Sequence, residues 1–573
     1  MGELGTGGQE DGLDVREVPV HGGHRQFVVE IEAGPQALHD DGGTLLPAEV
    51  GQEPGAHGQY GDPGQVREAL GAESDAFVDV EPVLLRRVGR HRDDHPVEQP
   101  GGATDHLDVS VVEGVERSGA DGAAHAPTVP SAAESRVRPA ADFWDVAGRS
   151  GNTGLMTTHA QGPATRSSDG APRSTDGEPW SRAALGANLL GSDGRLGVTI
   201  FEEVTALAQK HSAINLGQGF PDEDGPQEIL EAARTAISEG ANQYAPGQGL
   251  AVLRHAVAAH QERFYGLTPD PQTEVIVSTG ATESIAAAIL AFAGPGDEVL
   301  TFEPFYDSYG AVIGLSGATH TTAPLRAPDF QPDRAGLEAA FSERTRIIVV
   351  NNPHNPTGSV FGLAALQLIV QLAARYGAII VTDEVYEHLT FGESHVPIAS
   401  LPGAAERTLT ISSAGKTFSV TGWKIGWLSG PADLVAQVRT VKTFLTYTSG
   451  TPFQGAVALG LGLPDEFFHS IASTLRQKRD LLGEGLRAAG FDVFEPAGTF
   501  FTMVDAAPLG IEDATDLARR LPALIGVAAI PVAMFCHDEG ARHTRSMLRF
   551  AFCKRFDVIE EGARRLATLR ERV

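Results

Sequence analysis

The chain has 573 residues and a formal net charge of −30, from 44 Lys plus Arg against 74 Asp plus Glu. That length allows several domains, and a charge of this sign without a basic patch argues against a protein held to duplex nucleic acid by phosphate contacts. Two cysteines, Cys536 and Cys553, are too few for a disulfide framework; with no run near the roughly 18 apolar residues of a membrane span and no signal-peptide pattern in MGELGTGGQEDGLDV, a reducing, cytoplasmic setting away from membranes is expected.

Residues 1–155 hold 28 acidic residues against 11 arginines, with no lysine before Lys210 and no methionine between Met1 and Met156. Segments such as AEVGQEPGAHGQYGDPGQ offer too little apolar surface to offset the entropy of ordering them. Residues 1–190 are therefore expected to form a disordered, acidic, Gly/Pro/Ser-rich extension. A sharper reading starts synthesis at Met156 and makes everything before it upstream sequence. Met1, Gly2 and Thr6 match the permissive N-myristoylation pattern, but no polybasic second signal follows. His91 and His95 in RHRDDH have no cysteine beside them and read as solvated side chains rather than metal ligands.

Order is expected from VTIFEEVTALAQKHS (198–212), which puts Ile200, Val204, Leu207 and Ala208 on one helical face. Short, continuously apolar runs then recur at 274–278, 298–302, 345–352, 378–384 and 408–413, as strands buried on both faces should. Helical stretches lie between them, including 282–293 and 363–377. This βαβ rhythm predicts an α/β protein with a mostly parallel sheet flanked by helices, and ligands at the carboxyl ends of its strands. From about Pro452 onward, the helical run 468–490 alternates with FDVFEP, FFTMVD and MLRFAFC, which predicts a smaller α+β domain.

The segment SSAGKTFSVTGWKIGW (412–427) carries two of six lysines just after a strand. A lysine in a Gly/Ser turn at a sheet edge is usually a surface residue, yet partial desolvation there also makes it a Schiff-base former. Its company favours the second role. Asp383 ends a strand in TDEVY, Asn355 follows another in NNPHNPTG, GAT (280–282) precedes a helix, and Arg549 lies in a late strand.

Together with NLGQGFPDEDGP, NQYAPGQG, EPFYDSY and TDEVYEHL, these motifs resemble the aspartate-aminotransferase-like superfamily of pyridoxal-phosphate enzymes, fold type I. Within it the chain is most similar to the branch of kynurenine and glutamine transaminases and actinobacterial-type N-succinyldiaminopimelate aminotransferases. The resemblance spans roughly residues 195–573. It implies a catalytic region at 191–573, in which 191–240 form an arm and part of the small domain, 241–455 the large cofactor-binding domain, and 456–573 the C-terminal small domain.

By the same resemblance, Lys416 carries the pyridoxal 5′-phosphate as a Schiff base and moves the substrate's Cα proton. Asp383 pairs with the pyridine nitrogen, keeping it protonated so that the ring accepts electrons. Tyr386 and Asn355 donate to the phenolic oxygen, although Asn355 also suits a plain turn. Tyr306 stacks on the ring, with Phe305 as a core residue and Tyr309 as a possible substitute for Tyr306. Gly280, Ala281 and Thr282 at a helix start, Ser413 and Lys424 hold the phosphate. Lys424 stands where many superfamily members have arginine, which narrows the match to the kynurenine-type branch. Tyr244 resembles the tyrosine that reaches the phosphate of a neighbouring subunit, implying a homodimer with shared sites. Arg549 grips the substrate α-carboxylate, helped by Gly219 and Asn355; no metal is expected.

The resemblance implies an aminotransferase moving an amino group from an L-amino acid, or an N-succinyl-diaminopimelate-type donor, to a 2-oxo acid such as 2-oxoglutarate in two half-reactions. The same fold also hosts C–S β-lyases. A cofactor-sensing transcription regulator is a further alternative, opposed by the lysine-free acidic extension. His537 and Cys536 are candidates either for the specificity pocket or for ordinary core and surface roles.

Overall fold

The computed structural model describes residues 177–190, 194–392 and 394–573, together with short strands in the first 110 residues. The chain divides into two units, Met1–His159 and Ala160–Val573. In the first, Asp14–Pro19 pairs antiparallel with Arg25–Glu30, and Gln59–Tyr60, Leu85–Arg87 and Val109–Ser110 form a small sheet. Apart from these strands, the expected extension up to residue 176, the alternative start at Met156, the acylation pattern and His91 and His95 fall outside the described residues. The last part of the extension is not disordered as expected, because Pro179–Gly186 form a helix whose Arg182 Nε donates to the Gly314 carbonyl at 3.0 Å and whose Gly186 packs on Gly310.

The second unit is built on a seven-stranded sheet of β1 (Val275–Ser278), β2 (Glu298–Glu303), β3 (Thr319–Pro324), β4 (Thr345–Asn351), β5 (Ile379–Asp383), β6 (Thr408–Ser413) and β7 (Gly426–Ser429). Their spatial order is β1-β7-β6-β5-β4-β2-β3. All run in one direction except β7, which is antiparallel to both β6 and β1.

The unbroken apolar runs of β4 and β5 follow from burial on both faces. Ile348, Val350 and Ile380 pack toward Leu366, Ile369 and Leu372 of the helix Leu363–Tyr376. Ile347, Val349, Ile379 and Val381 alternate to the other face, against Ile285 and Ile289 of the helix Gly280–Phe292. Each such side chain contributes about 1.5–3 kcal/mol relative to exposure.

The helix Ile200–Lys210 buries Ile200, Val204 and Ala208, with Leu207 only half-buried; Thr199 and Glu202 close a reciprocal capping box at its start. A second sheet orders Asp492–Phe494, Phe501–Asp505, Met547–Ala551 and Ile530–Pro531 in antiparallel neighbours, backed by the long helix Asp465–Ala489. A two-stranded parallel pairing of Ile214–Asn215 with Val527–Ala528 ties the segment before the large sheet to the late part of the chain.

The reversal of β7 decides what reaches the sheet's functional edge. Parallel strands present their carboxyl ends there, so Asp383, Asn351 and Ser413 line up with the turns after β1 and β2. An antiparallel strand presents its amino end, and this brings Lys424 and Ile425, just before β7, to the same edge. Gly426 pairs with Ser413 on one side and Ser278 on the other. A Cβ there would lie 2.6 Å from the carbonyl carbon of Gly280, so only glycine lets the two backbones approach.

Candidate active site

A cavity of about 360 Å³ opens at this edge, lined by every residue the sequence assigned to the site except Tyr244. Its volume is in the range of small-molecule and cofactor pockets.

At one wall stands Lys416, in the single turn Ala414–Thr417 that follows β6. Its Nζ donates to the Gly219 carbonyl at 3.2 Å and lies 5.3 Å from the Phe500 ring centre and 5.8 Å from that of Tyr386. Burial among these groups lowers the amine's pKa, opposed by the nearby Cys553 thiol and Asp383. A Cβ at Gly219 would run into the Phe501 ring, so the acceptor for Lys416 sits where side chains do not fit.

Asp383 ends β5, almost fully buried. Its Oδ2 accepts the Tyr309 hydroxyl at 2.6 Å, and its Oδ1 accepts the Val385 amide at 3.4 Å. Burial raises its pKa, while those hydrogen bonds and Lys416 pull it back down. A carboxylate so placed suits a cationic N–H as partner. Tyr309→Phe should leave the fold intact and reduce turnover about tenfold, the worth of one hydrogen bond to a charged group. Steady-state kinetics read this, and an unchanged kcat would mean that Asp383 needs no such orientation.

The opposite end suits an anion. Gly280, at φ +76°, Ala281 and Thr282 begin a helix of 13 residues, Gly280–Phe292, whose first amides and dipole favour negative charge. Lys424 Nζ approaches this terminus: a Cβ on Gly280 would sit 3.3 Å from it. Ser413, the last residue of β6, borders the same space.

Arg549 forms a third corner. It is 2% exposed on the strand Met547–Ala551, with Nη1 donating to Asn355 Oδ1 and Nη2 to the Gly217 carbonyl, each at 2.9 Å. The Phe501 ring centre lies 4.0 Å from Cζ and that of Phe535 4.9 Å. Burial lowers its pKa to about 10, which leaves it protonated at neutral pH. Its Nε has no hydrogen-bond partner. A guanidinium that lines a cavity matches a carboxylate ligand.

Tyr306 and Tyr386 also line the cavity; burial raises the Tyr306 hydroxyl to about 12 and that of Tyr386 well above the usual range. Phe305 is a core residue, as expected. Tyr309, considered only as a stand-in for Tyr306, instead holds Asp383, while its ring meets that of Tyr306 edge-on at 5.5 Å. Asn351 was missed. Its Nδ2 donates to the Asp383 carbonyl at 2.9 Å and its Oδ1 accepts the Asn355 amide at 2.7 Å, so the first asparagine of NNPHNP fixes the turn bearing the other. Phe501, stacked against Arg549, was missed too.

Tyr244 lies outside the cavity, 83% exposed, with its ring against Tyr447. Cys536 and His537 do not line it either. Cys536 borders a separate cavity of about 200 Å³ beside Glu303 and Arg326, and His537 Nε2 pairs with His320 Nδ1 at 3.1 Å.

The family model described as aminotransferase class I and II matches residues 211–566. The chain belongs to this family. As a class I and II aminotransferase it is 48% identical over 384 residues to a probable N-succinyldiaminopimelate aminotransferase of Mycobacterium tuberculosis, covering 65% of this chain and 96% of that one. It is 39% identical over 376 residues to a methionine aminotransferase of Escherichia coli, covering 65% and 97%. The solved N-succinyldiaminopimelate aminotransferase from Mycobacterium tuberculosis superposes with a TM-score of 0.64 at 49% identity, over 65% of this chain and 97% of that one. The fold is that of the fold type I aminotransferases, and the cofactor of this aminotransferase is pyridoxal 5′-phosphate. The cavity fits that group: a buried amine, a carboxylate held by a tyrosine, and a cation at a helix N-terminus stand around it, with Arg549 as a further cation in its lining. Among the described residues no helix is long and apolar enough to cross a membrane.

Proposed function

We propose that this aminotransferase works through Lys416, Asp383 and Arg549, taking its amino group from an N-succinyl-diaminopimelate-type donor or another L-amino acid and passing it to a 2-oxo acid, with glutamate and 2-oxoglutarate as one couple. The observation that carries the reading is the convergence of Lys416, Asp383 and Arg549 on one cavity. The donor class is supported by 48% identity over 96% of a relative named for that substrate.

The cofactor supplies an aldehyde that takes up the amino group and a ring that accepts the electron pair left at Cα. Lys416 Nζ, made less basic by burial, carries the cofactor and then moves the proton to and from Cα. Asp383 holds the proton on the pyridine nitrogen. Tyr386 and Asn355 orient the phenolic oxygen, with Asn355 Oδ1 committed to Arg549 and its amide nitrogen left to donate. Tyr306 stacks on the ring. Lys424, Ser413 and the amides of Gly280, Ala281 and Thr282 bind the phosphate. Arg549 binds the α-carboxylate beside Gly219. The exposed Tyr244, whose ring meets that of the exposed Tyr447 at 5.7 Å, serves the site of a second copy of the chain, in a cytoplasmic homodimer.

Mixing the purified protein with glutamate should abolish the cofactor's visible band, and adding a 2-oxo acid should restore it; a panel including N-succinyl-diaminopimelate, methionine and kynurenine then ranks donors. Pyruvate and ammonia formed from cystine faster than any amino transfer would replace the reading with β-elimination. Arg549→Lys should raise KM for amino donor and 2-oxo acceptor alike by about one to two orders of magnitude, because a point charge replaces a two-pronged clamp. An effect on one half-reaction only would contradict a shared carboxylate clamp.

A further inference from the structure

Behind the loop that carries Tyr386 lies a polar cluster that the reaction does not use. His260, on the helix Ala251–Tyr265, is 2% exposed, and its Nε2 lies 2.8 Å from Nε2 of His388. Glu387 beside it is buried, with Oε1 accepting the Ser412 hydroxyl at 2.6 Å. One ligand atom from each of His260, Glu387 and His388 lies within 4.8 Å of the other two.

As a set of hydrogen bonds this cluster is incomplete. The two facing imidazole nitrogens share a single proton, and Glu387 Oε2 has no close partner, the Tyr265 hydroxyl being a further donor that acts on this carboxylate. Buried polar atoms are rarely left so, and a carboxylate that can turn toward two imidazole nitrogens within 4.8 Å suits a ligand that takes lone pairs. Two imidazoles and one carboxylate are the donor set of three-ligand zinc sites.

We propose that His260, Glu387 and His388 bind one divalent transition-metal ion of the zinc class. Metal–nitrogen bonds of about 2.0–2.1 Å at tetrahedral angles put two ligating nitrogens roughly 3.3 Å apart. The facing imidazoles therefore open by about half an ångström, and the carboxylate swings inward by about one, which side-chain torsions supply without backbone movement. Ser412 holds the carboxylate from behind, as outer-sphere partners do. The rings of Phe264 and Phe468, with centres 4.5–5.8 Å from the two imidazoles, keep the surroundings dry. His388 is partly exposed, which gives the ion a route in and leaves room for water as a fourth ligand.

The neighbouring charges allow a cation. Arg263, which packs on Phe264 and Phe468, is paired with Asp465, and Glu384 is paired with His395 at 2.8 Å. Glu387 and His388 directly follow Tyr386, and Ser412 precedes Ser413, so the ion would fasten the helix Ala251–Tyr265 to the backbone at the catalytic edge. Its role is structural, and it stands whether or not the donor assignment holds.

The test uses full-length, tag-free holoenzyme stripped with a chelator and titrated with Co²⁺. About one Co²⁺ per chain should bind with visible ligand-field absorption, be displaced by Zn²⁺ and not by Mg²⁺, and Zn²⁺ at a hundredfold excess over Kd should raise Tm by roughly 5 °C. His260→Gln and Glu387→Gln should abolish the absorption and the Tm rise while keeping the cofactor's own spectrum. If His260→Gln fails to fold, the isosteric Glu387→Gln, which keeps an acceptor for Ser412, decides alone. No stoichiometric Co²⁺ binding to the parent protein, or the same absorption in a folded variant, overturns the site.

Discussion

Lys416→Ala is expected to lower turnover by about a thousandfold or more, combining loss of the proton carrier with loss of the covalent attachment point. The fold should survive. Lys416 gives up one hydrogen bond, to the Gly219 carbonyl, and leaves space in a cavity that is already open. The variant should still take up pyridoxal phosphate through Lys424, the helix start at Gly280 and Asp383, so that its spectrum becomes that of the free aldehyde. Borohydride reduction and peptide mapping check the assignment: in the parent protein the reduced cofactor should be on the peptide containing Lys416. Label on another lysine, or retained turnover in the variant, would remove the basis of the proposed chemistry.

Asp383→Asn should reduce kcat by roughly two to three orders of magnitude, with a smaller change in KM. Asparagine keeps an oxygen for the Tyr309 hydroxyl, so packing and the edge of the sheet are preserved. What disappears is the negative charge proposed to hold a proton on the pyridine nitrogen. Because burial already raises the pKa of Asp383, the site depends on Tyr309, the Val385 amide and Lys416 to keep the carboxylate ionised. The order of effects is therefore part of the prediction: Asp383→Asn far below the parent, Tyr309→Phe only about tenfold below it. Equal losses in the two variants would mean that the hydroxyl, not the charge, does the chemistry.

Much of this architecture is legible in the residues alone, for reasons that differ by element. β4 and β5 announce themselves because burial on both faces gives them the unbroken apolar runs 347–350 and 379–381, and Asn355 after the one and Asp383 at the end of the other are of types that make little sense inside a core. β3, THTTAP, is a sheet edge with mostly half-buried residues, so it has no apolar run to detect. β7 is short and hidden in the Gly/Trp-rich segment after Lys416, where its direction is set by pairing with β1 and β6 rather than by local preference. In the site, single residues with distinctive chemistry were found, while their supporters were not. Tyr309 and Asn351 act through hydrogen bonds to Asp383 that depend on how β2, β4 and β5 are juxtaposed, and Phe501 meets Arg549 only because two strands of the second sheet are neighbours. The spacing of Tyr306 and Tyr309, one helical turn apart, was the available sign that both reach the same space. His260 gave no sign, since nothing near it in sequence hints at His388.

The inverted strand also bears on when the enzyme becomes able to capture its cofactor. Ser278 and Ser413 meet only through Gly426, so the end of the cavity proposed for the phosphate is assembled from three stretches that are far apart along the polypeptide. Contacts of such wide separation form slowly, because loop closure has to precede the interactions that reward it. The nearby βαβ units can close first, yet the anion cradle exists only once β7 has been inserted between β1 and β6. Cofactor absorbance during refolding is thus a clock for completion of the sheet, and should lag behind the recovery of helical signal.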